Sequence, residues 1–270
     1  MQAKKISKVY VLMLGLTILV PLLLLFLWSL IARWPWPDLL PTAYTLRGFK
    51  DLFIENQKVW KVILSSIALS LCVATLSVII SLMSSRYLFI SGEKIRQRMT
   101  FIFQLPNLIP ATIFAMGIHL PMIQWGISDT NLGVLIVHLV YAIPYAFLLI
   151  HPVYDSIGEA LEEQAMILGA SPFQAFTKIT LPLLLPVLFT ALAMSFIVSF
   201  SQYFLTLVIG GGRVQTYMTI IFPYFQNNDR TIAAVYSMLF LFITLIFFAI
   251  MRLCLTALQK HYQTFQYYDS

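Results

Sequence analysis

Six stretches of this chain contain no Asp, Glu, Lys or Arg: Val9–Ala32, Val62–Ser85, Met99–Ser128, Thr130–Tyr154, Ile179–Gly212 and Thr231–Met251. They run for 21 to 34 residues each. A helix rises about 1.5 Å per residue, so about 20 apolar residues cross the hydrocarbon of a bilayer. Six spans therefore fit. Continuous apolar runs, rather than alternation, select helices. Apolar residues make up 60% of the chain and charged residues 10%, with a mean hydropathy of +0.85. Soluble domains run at about 45–50% and about 25%. A disordered chain, a collagenous chain and an ordinary soluble enzyme are excluded.

The fold class that follows is an all-α membrane protein with six transmembrane helices. The expected spans are 9–31, 62–85, 99–127, 131–152, 184–209 and 231–251, in one membrane domain over residues 1–270. The fifth charge-free stretch is too long for one crossing and too short for two with a turn. Its first part therefore reads as a helix outside the membrane. The first span follows Lys4, Lys5 and Lys8, like a signal peptide. Its apolar run exceeds the usual length of about 7–15 residues and no A-x-A site follows, so an uncleaved signal anchor is expected.

Six crossings put both termini on one side. With the termini inside, ten Lys and Arg fall on inner segments and seven on outer ones. The cations closest to span ends, Lys4, Lys5, Lys8, Arg86, Lys94, Arg96 and Arg98, favour inside termini, because orientation follows cations near the spans. The net charge of +6 is spread between apolar runs, with no dense basic stripe for nucleic acid. Cys72 lies inside an apolar run and Cys254 just after another, so no structural disulfide is expected.

The spans hold no ionisable carboxylate, Lys or Arg. Ion-coupled carriers and pumps place such groups at membrane depth. His119, His138 and His151 remain, and they read as side chains hydrogen-bonded between helices. The four histidines lack H-x-x-x-H and H-E-x-x-H spacing, so neither a metal site nor a catalytic constellation is expected. Pro106, Pro110, Gly117 and Pro121 punctuate the third span, Pro144 and Pro152 the fourth, Pro182 and Pro186 the start of the fifth. A proline inside a helix frees a carbonyl and bends the axis.

The most unusual segment is 155–182, DSIGEALEEQAMILGASPFQAFTKITLP. Ser156 and Glu159 form the S-x-x-E pattern of a capping box. Ile157, Leu161, Ala165 and Leu168 then give one apolar stripe, with Glu159, Glu162 and Glu163 as a polar flank. Gly169 stands where a left-handed residue ends a helix. Ser171-Pro172 starts another, with Ser as N-cap and Pro in the first turn. Phe173, Phe176 and Thr180 are expected on one side of that second helix. The segment thus reads as helix, glycine turn, helix on the cytoplasmic surface. Connections are commonly only about 4–6 residues, so such a device points to docking. Three glutamates and one lysine argue against a helix lying on lipid, since such helices are usually basic.

Glu163-Gln164-Ala165, three residues, Gly169, nine residues, Ile179-x-Leu181-Pro182 resembles the EAA motif, E-A-A-x3-G-x9-I-x-L-P. That motif belongs to membrane subunits of binding-protein-dependent ABC importers, the MetI-like permeases. The one departure is Gln164. The spread of features is closest in character to permeases of the polyamine, thiamine, ferric-iron and phosphonate type. The resemblance implies a permease that transports and does not catalyse. Its loop 155–182 would be the coupling helix seated in a cytoplasmic ATPase, with Glu163, Gln164, Ala165, Leu168, Gly169, Ile179, Leu181 and Pro182 as coupling residues. The chain has no G-x-x-x-x-G-K-[ST] loop, so two partner ATPase subunits would bind ATP and Mg. No cofactor is expected in the chain itself.

The resemblance also implies a second permease copy, identical or different, with the solute pathway between the two. Candidates for lining it are Asn107, Tyr141, Ser195, Ser199, Ser201, Gln202 and Tyr203. An extracytoplasmic binding protein would meet outer segments such as Gly210–Arg230, where Gly210–Gly212 would lend flexibility. The outer segment Arg33–Lys61 carries Trp34, Trp36 and Tyr44, and interfacial anchoring accounts for the Trp pair. The implied location is the bacterial plasma membrane, multi-pass, with a small polar or charged solute as cargo. An ion-coupled carrier and a membrane-embedded lipid-modifying enzyme are the alternatives. The first lacks intramembrane charges and the second lacks acidic or metal-binding clusters.

Overall fold

The computed structural model describes residues 2–33, 38, 40–157 and 160–268. Trp34, Trp36 and Glu159 lie outside the described residues. The chain order is α1 (Gln2–Ser29), β1 (Ile31–Arg33), β2 (Ala43–Tyr44), α2 (Arg47–Lys50), α3 (Lys58–Phe89), α4 (Glu93–Leu108), α5 (Ala111–Gln124) and α6 (Asn131–Ile157). Then come α7 (Ala160–Ile167), α8 (Pro172–Ala175), α9 (Leu181–Phe200), α10 (Phe204–Gly210), α11 (Tyr217–Gln226) and α12 (Arg230–Tyr268). Wider π-helical turns follow α2 at Asp51–Glu55 and α8 at Phe176–Thr180. The two strands pair antiparallel.

Among the described residues, four helical stretches are long and apolar enough to cross a membrane: Lys58–Phe89, Asn131–Ile157, Pro172–Phe200 and Arg230–Gln259. The pair α4 and α5 makes a fifth if it is one broken span. The apolar part of α1, Met13–Ser29, is shorter.

The sequence predicts unbroken spans over 99–127 and 184–209, and the structure interrupts both. Between α4 and α5 the axis turns by 99°. Pro110 has no N–H to give and crowds the residue before it, so Ile109 is extended at φ −100°, ψ 123°. The second break is at 201–203, where the Ser201 hydroxyl donates to the Val198 carbonyl and competes with the backbone ladder. Pro144 and Pro152, in contrast, lie inside α6 without ending it. Nor does a helix start at Ser156. Its hydroxyl donates back to the Val153 carbonyl in the last turn of α6, and the next helix begins at Ala160.

The chain divides into two compact units, Met1–Lys61 with Thr219–Ile243, and Val62–Met218 with Thr244–Ser270. In the first, Thr231 Oγ1 donates to the Ile31 carbonyl at 2.6 Å, and Arg47 pairs with Asp229 at 2.5 Å. The Tyr236 hydroxyl donates to the Asp51 carboxylate at 2.8 Å.

In the second unit α6 packs along α9 as the most extensive helix pair. Ala142 and Ala146 of α6 and Ala191 and Ala193 of α9 are buried. Small residues let two membrane helices approach closely, where packing rather than water exclusion holds them. Ala115, Met122, Val134, Val137, Tyr141, Leu205 and Ile209 form one core cluster. Buried His138 bonds Ser199 at 3.0 Å and Thr206 at 2.9 Å, and Ser199 also bonds Ser70. This chain of polar groups ties α3, α6, α9 and α10 and satisfies the imidazole, as a buried polar group requires. One end of this unit gathers the α3–α4 connection with residues 155–180, through Arg96–Asp155 and Arg86–Glu162. The other end gathers 127–131 with 209–214, where the Asp129 N–H donates to the Ile209 carbonyl at 2.8 Å.

Candidate functional site

Helix α7 opens with Glu162 and Glu163 in its first turn, where carboxylates suit the unpaired N–H groups. It ends in a Schellman turn. The Ala170 N–H donates to the Ala165 carbonyl and the Gly169 N–H to the Met166 carbonyl, both at 3.0 Å. Gly169 supplies the left-handed residue at φ +95°. A Cβ there would meet nothing within 4 Å, so glycine is required by backbone conformation and not by crowding. Ala165 and Gly169 are thus two ends of one hydrogen-bonded turn.

Helix α8 begins with a complete capping box. The Gln174 N–H donates to Ser171 Oγ at 3.3 Å, and the Ser171 N–H donates to Gln174 Oε1 at 2.9 Å. Pro172 occupies the first turn. The π-helical turn then shifts the phase of the helix face. Phe173 points outward, 75% exposed, while Phe176 is half-buried and Thr180 is buried, so the three do not share a side. Leu181 and Pro182 form the first turn of α9.

Besides Phe173, the most exposed apolar side chains of this segment sit at the glycine turn. Ile167 is 83% exposed and Leu168 89%, side by side at the turn. Glu163 and Gln164 are exposed beside them, and Ala165 and Ile179 are half-buried. Glu162 faces the other way. Its carboxylate pairs with Arg86 at 3.4 Å and accepts from the Thr180 hydroxyl. The Arg86 guanidinium lies over the Phe176 ring, 4.2 Å from its centroid. Sequence reasoning left Glu162 in a generic polar flank and did not connect Arg86 to the loop.

The candidate pathway residues divide by burial. Asn107 is exposed in the last turn of α4, and Gln202 and Tyr203 are half-buried at the second break. The Tyr141 hydroxyl donates to the Ile109 carbonyl at 2.9 Å, pinning the first break. Ala111 and Phe114, just after that break, and Phe204 and Leu205, just after the other, pack in one cluster with Tyr141. Ser195 and Ser199 are fully buried, and Ser201 is exposed. The Gly210–Gly212 segment is a turn with Gly210 buried and Gly211 and Gly212 exposed. Gly211 and Gly212 take φ +51° and +76°, and a Cβ on Gly211 would run into the Asp129 carboxylate.

Residues 77–262 match the family described as the binding-protein-dependent transport system inner membrane component. The chain belongs to that family. It is the permease component of a binding-protein-dependent ABC transport system, a multi-pass inner-membrane protein in a family that is not catalytic. The family implies ATPase and binding-protein partners. The chain is 26% identical over 213 residues to PhnV of Salmonella typhimurium, a permease protein assigned to 2-aminoethylphosphonate transport (78% of this chain, 80% of the relative). It is 27% identical over 203 residues to the spermidine/putrescine permease PotC homolog of Mycoplasma genitalium (74% and 69%). It is 28% identical over 134 residues to cysT of Nephroselmis olivacea, assigned to sulfate transport (47% and 47%). All three are named as permease proteins of transport systems, and the matched family region contains the whole 155–182 loop.

Proposed function

We propose that residues 155–182 are the ATPase-coupling loop of this permease and that Ile167 and Leu168 are its anchor. The observation that carries this is their exposure, 83% and 89%, on a turn locked by two backbone hydrogen bonds. Large aliphatic side chains held rigidly in water gain by entering a groove, and the Schellman geometry removes most of the entropy that docking would otherwise cost. Glu163, Gln164, Ala165 and Gly169 then lie at the contact, and Ile179, Leu181 and Pro182 carry its motion into α9.

In this reading the chain crosses the membrane six times. The first crossing is α1, the third is the broken α4–α5 pair, and the fifth is α9 with α10. Both termini are cytoplasmic. Two ATPase subunits bind ATP and Mg and, on closing, bias the spans between inward-open and outward-open states; the driving force is the difference in ATP affinity between the two. The pathway forms with a second permease copy, along the two helix breaks. Broken helices at membrane depth leave backbone groups that need a polar partner, and a water-filled route supplies one. Asn107, Tyr141, Gln202 and Tyr203 line it, with Ser195 and Ser199 packed behind them. The cargo is a small polar or charged solute brought by a binding protein to the outer segments, in a bacterial plasma membrane.

A mild-detergent pull-down of the tagged chain tests the coupling loop. The expected result is a co-purifying P-loop ATPase, reduced at least tenfold by Gly169→Val while the permease stays in the membrane. Recovery of the chain without any ATPase, or equal recovery with Gly169→Val, overturns the assignment. A second, different permease in the same eluate would identify the pair as heteromeric.

A further inference from the structure

We infer that Arg86 is a positioning residue that clamps the coupling loop to the end of α3, so that the two move as one body. This rests on the coupling reading above. Arg86 lies one turn from the end of α3, and its side chain makes two contacts with the loop at once. Its guanidinium pairs with Glu162 in the first turn of α7, and its face covers the Phe176 ring in the π-helical turn. Glu162 in turn accepts from Thr180, at the junction with α9. A single side chain of α3 therefore holds both ends of the loop's fold.

The geometry suits arginine and not lysine. A planar guanidinium presents edges to a carboxylate and a face to a ring at the same time, whereas an ammonium is a point charge. The pair is also shielded, with Glu162 16% exposed and Arg86 38%, so it is screened less than a surface pair. Among the described residues α7 spans eight, too few to stand alone in water. Glu162 grips the body on the opposite side of α7 from the exposed Ile167 and Leu168. A force applied at that turn is thereby delivered to α3 as well as to α9. Without the clamp, α7 would swing on residues 168–171 and the displacement would dissipate in the loop.

The test uses spin labels at Tyr87→Cys on α3 and Met166→Cys on α7, both exposed, with Cys72 and Cys254 replaced by serine. The chain is studied in lipid nanodiscs with whatever ATPase it retains, nucleotide-free and trapped with ADP–vanadate. The expected distance distribution is narrow and has the same mean in both states. Arg86→Gln at least doubles its width, and Arg86→Lys falls between. Thr180→Val, which preserves side-chain shape, broadens it by less than Arg86→Gln. The exchanged pair Arg86→Glu with Glu162→Arg narrows it again, a rescue that a general folding defect would not give. An Arg86→Gln distribution as narrow as the parent's overturns the clamp. Narrow parent and broad Arg86→Gln distributions in a chain that retains no ATPase establish the clamp and overturn the docking assignment.

Discussion

Gly169 has a conformational requirement and no steric one. An L-residue forced into the left-handed region costs about 1–2 kcal/mol, and a β-branched side chain more. Gly169→Asn is therefore expected to retain more ATPase in the pull-down than Gly169→Val, since asparagine tolerates that region. Equal losses would mean that the site senses volume rather than backbone. Ser171→Ala removes one arm of a complete capping box and should destabilise the start of α8 by about 0.5–2 kcal/mol. Faster amide exchange confined to residues 171–175 is the expected readout. Both positions were legible in the sequence because turns and caps are governed by neighbours within a few residues. The role of Glu162 was not. Glu159, Glu162 and Glu163 look alike in a string, and the partner that singles out Glu162 is 76 residues away in α3.

Among elements, the instructive contrast is between prolines. Pro110 separates two helices by 99°, whereas Pro144 and Pro152 leave α6 whole. At the first site the Ile109 carbonyl finds the Tyr141 hydroxyl on α6 at 2.9 Å. The carbonyl before Pro144 also accepts a hydroxyl from a neighbouring helix, that of Ser81 at 3.3 Å, so such a bond accompanies both a break and a continuous helix, and a proline's position alone does not reveal which results. Tyr141→Phe leaves the Ile109 carbonyl without this donor and should cost about 1–3 kcal/mol. Reversible denaturant unfolding in micelles would measure it, and an unchanged midpoint would mean that another donor takes over. The break at 201–203 was less legible still, since no proline or glycine marks it; only the polar run Ser201-Gln202 does. The glycine run at 210–212 was legible as a turn, but not that the Asp129 carboxylate lies against Gly211.

For the whole molecule, orientation rests on ten inner cations against seven outer ones, a narrow margin from sequence. The structure adds a constraint inside the second unit. Ion pairs bring the α3–α4 connection and residues 155–162 to one end, and residues 127–131 and 209–214 lie at the other. Cysteines at Lys94 and Leu168 must therefore label from one side of the membrane, and a cysteine at Arg213 from the other. The expected result in intact cells is that only the Arg213→Cys variant reacts with an impermeant maleimide. Lys94→Cys and Leu168→Cys labelling from opposite faces would contradict the arrangement. The class of the molecule was readable from charge-free stretches alone, because burying a charge in hydrocarbon is costly wherever it stands. Its breaks and inter-helix bonds were not, because they depend on which helices meet.

The exposed pair at the turn of the proposed coupling loop has a consequence for how a cell keeps its subunits in proportion. Under the proposed docking, a copy made in excess of its ATPase would present Ile167 and Leu168 to the cytoplasm, where proteases and chaperones select apolar side chains in water. Surplus copies would thus be cleared, and supply would follow the scarcer subunit. Pulse-chase turnover should be several-fold faster when the chain is expressed without its ATPase, and Ile167→Ser with Leu168→Ser should slow it. A half-life indifferent to both would show that surveillance reads some other surface.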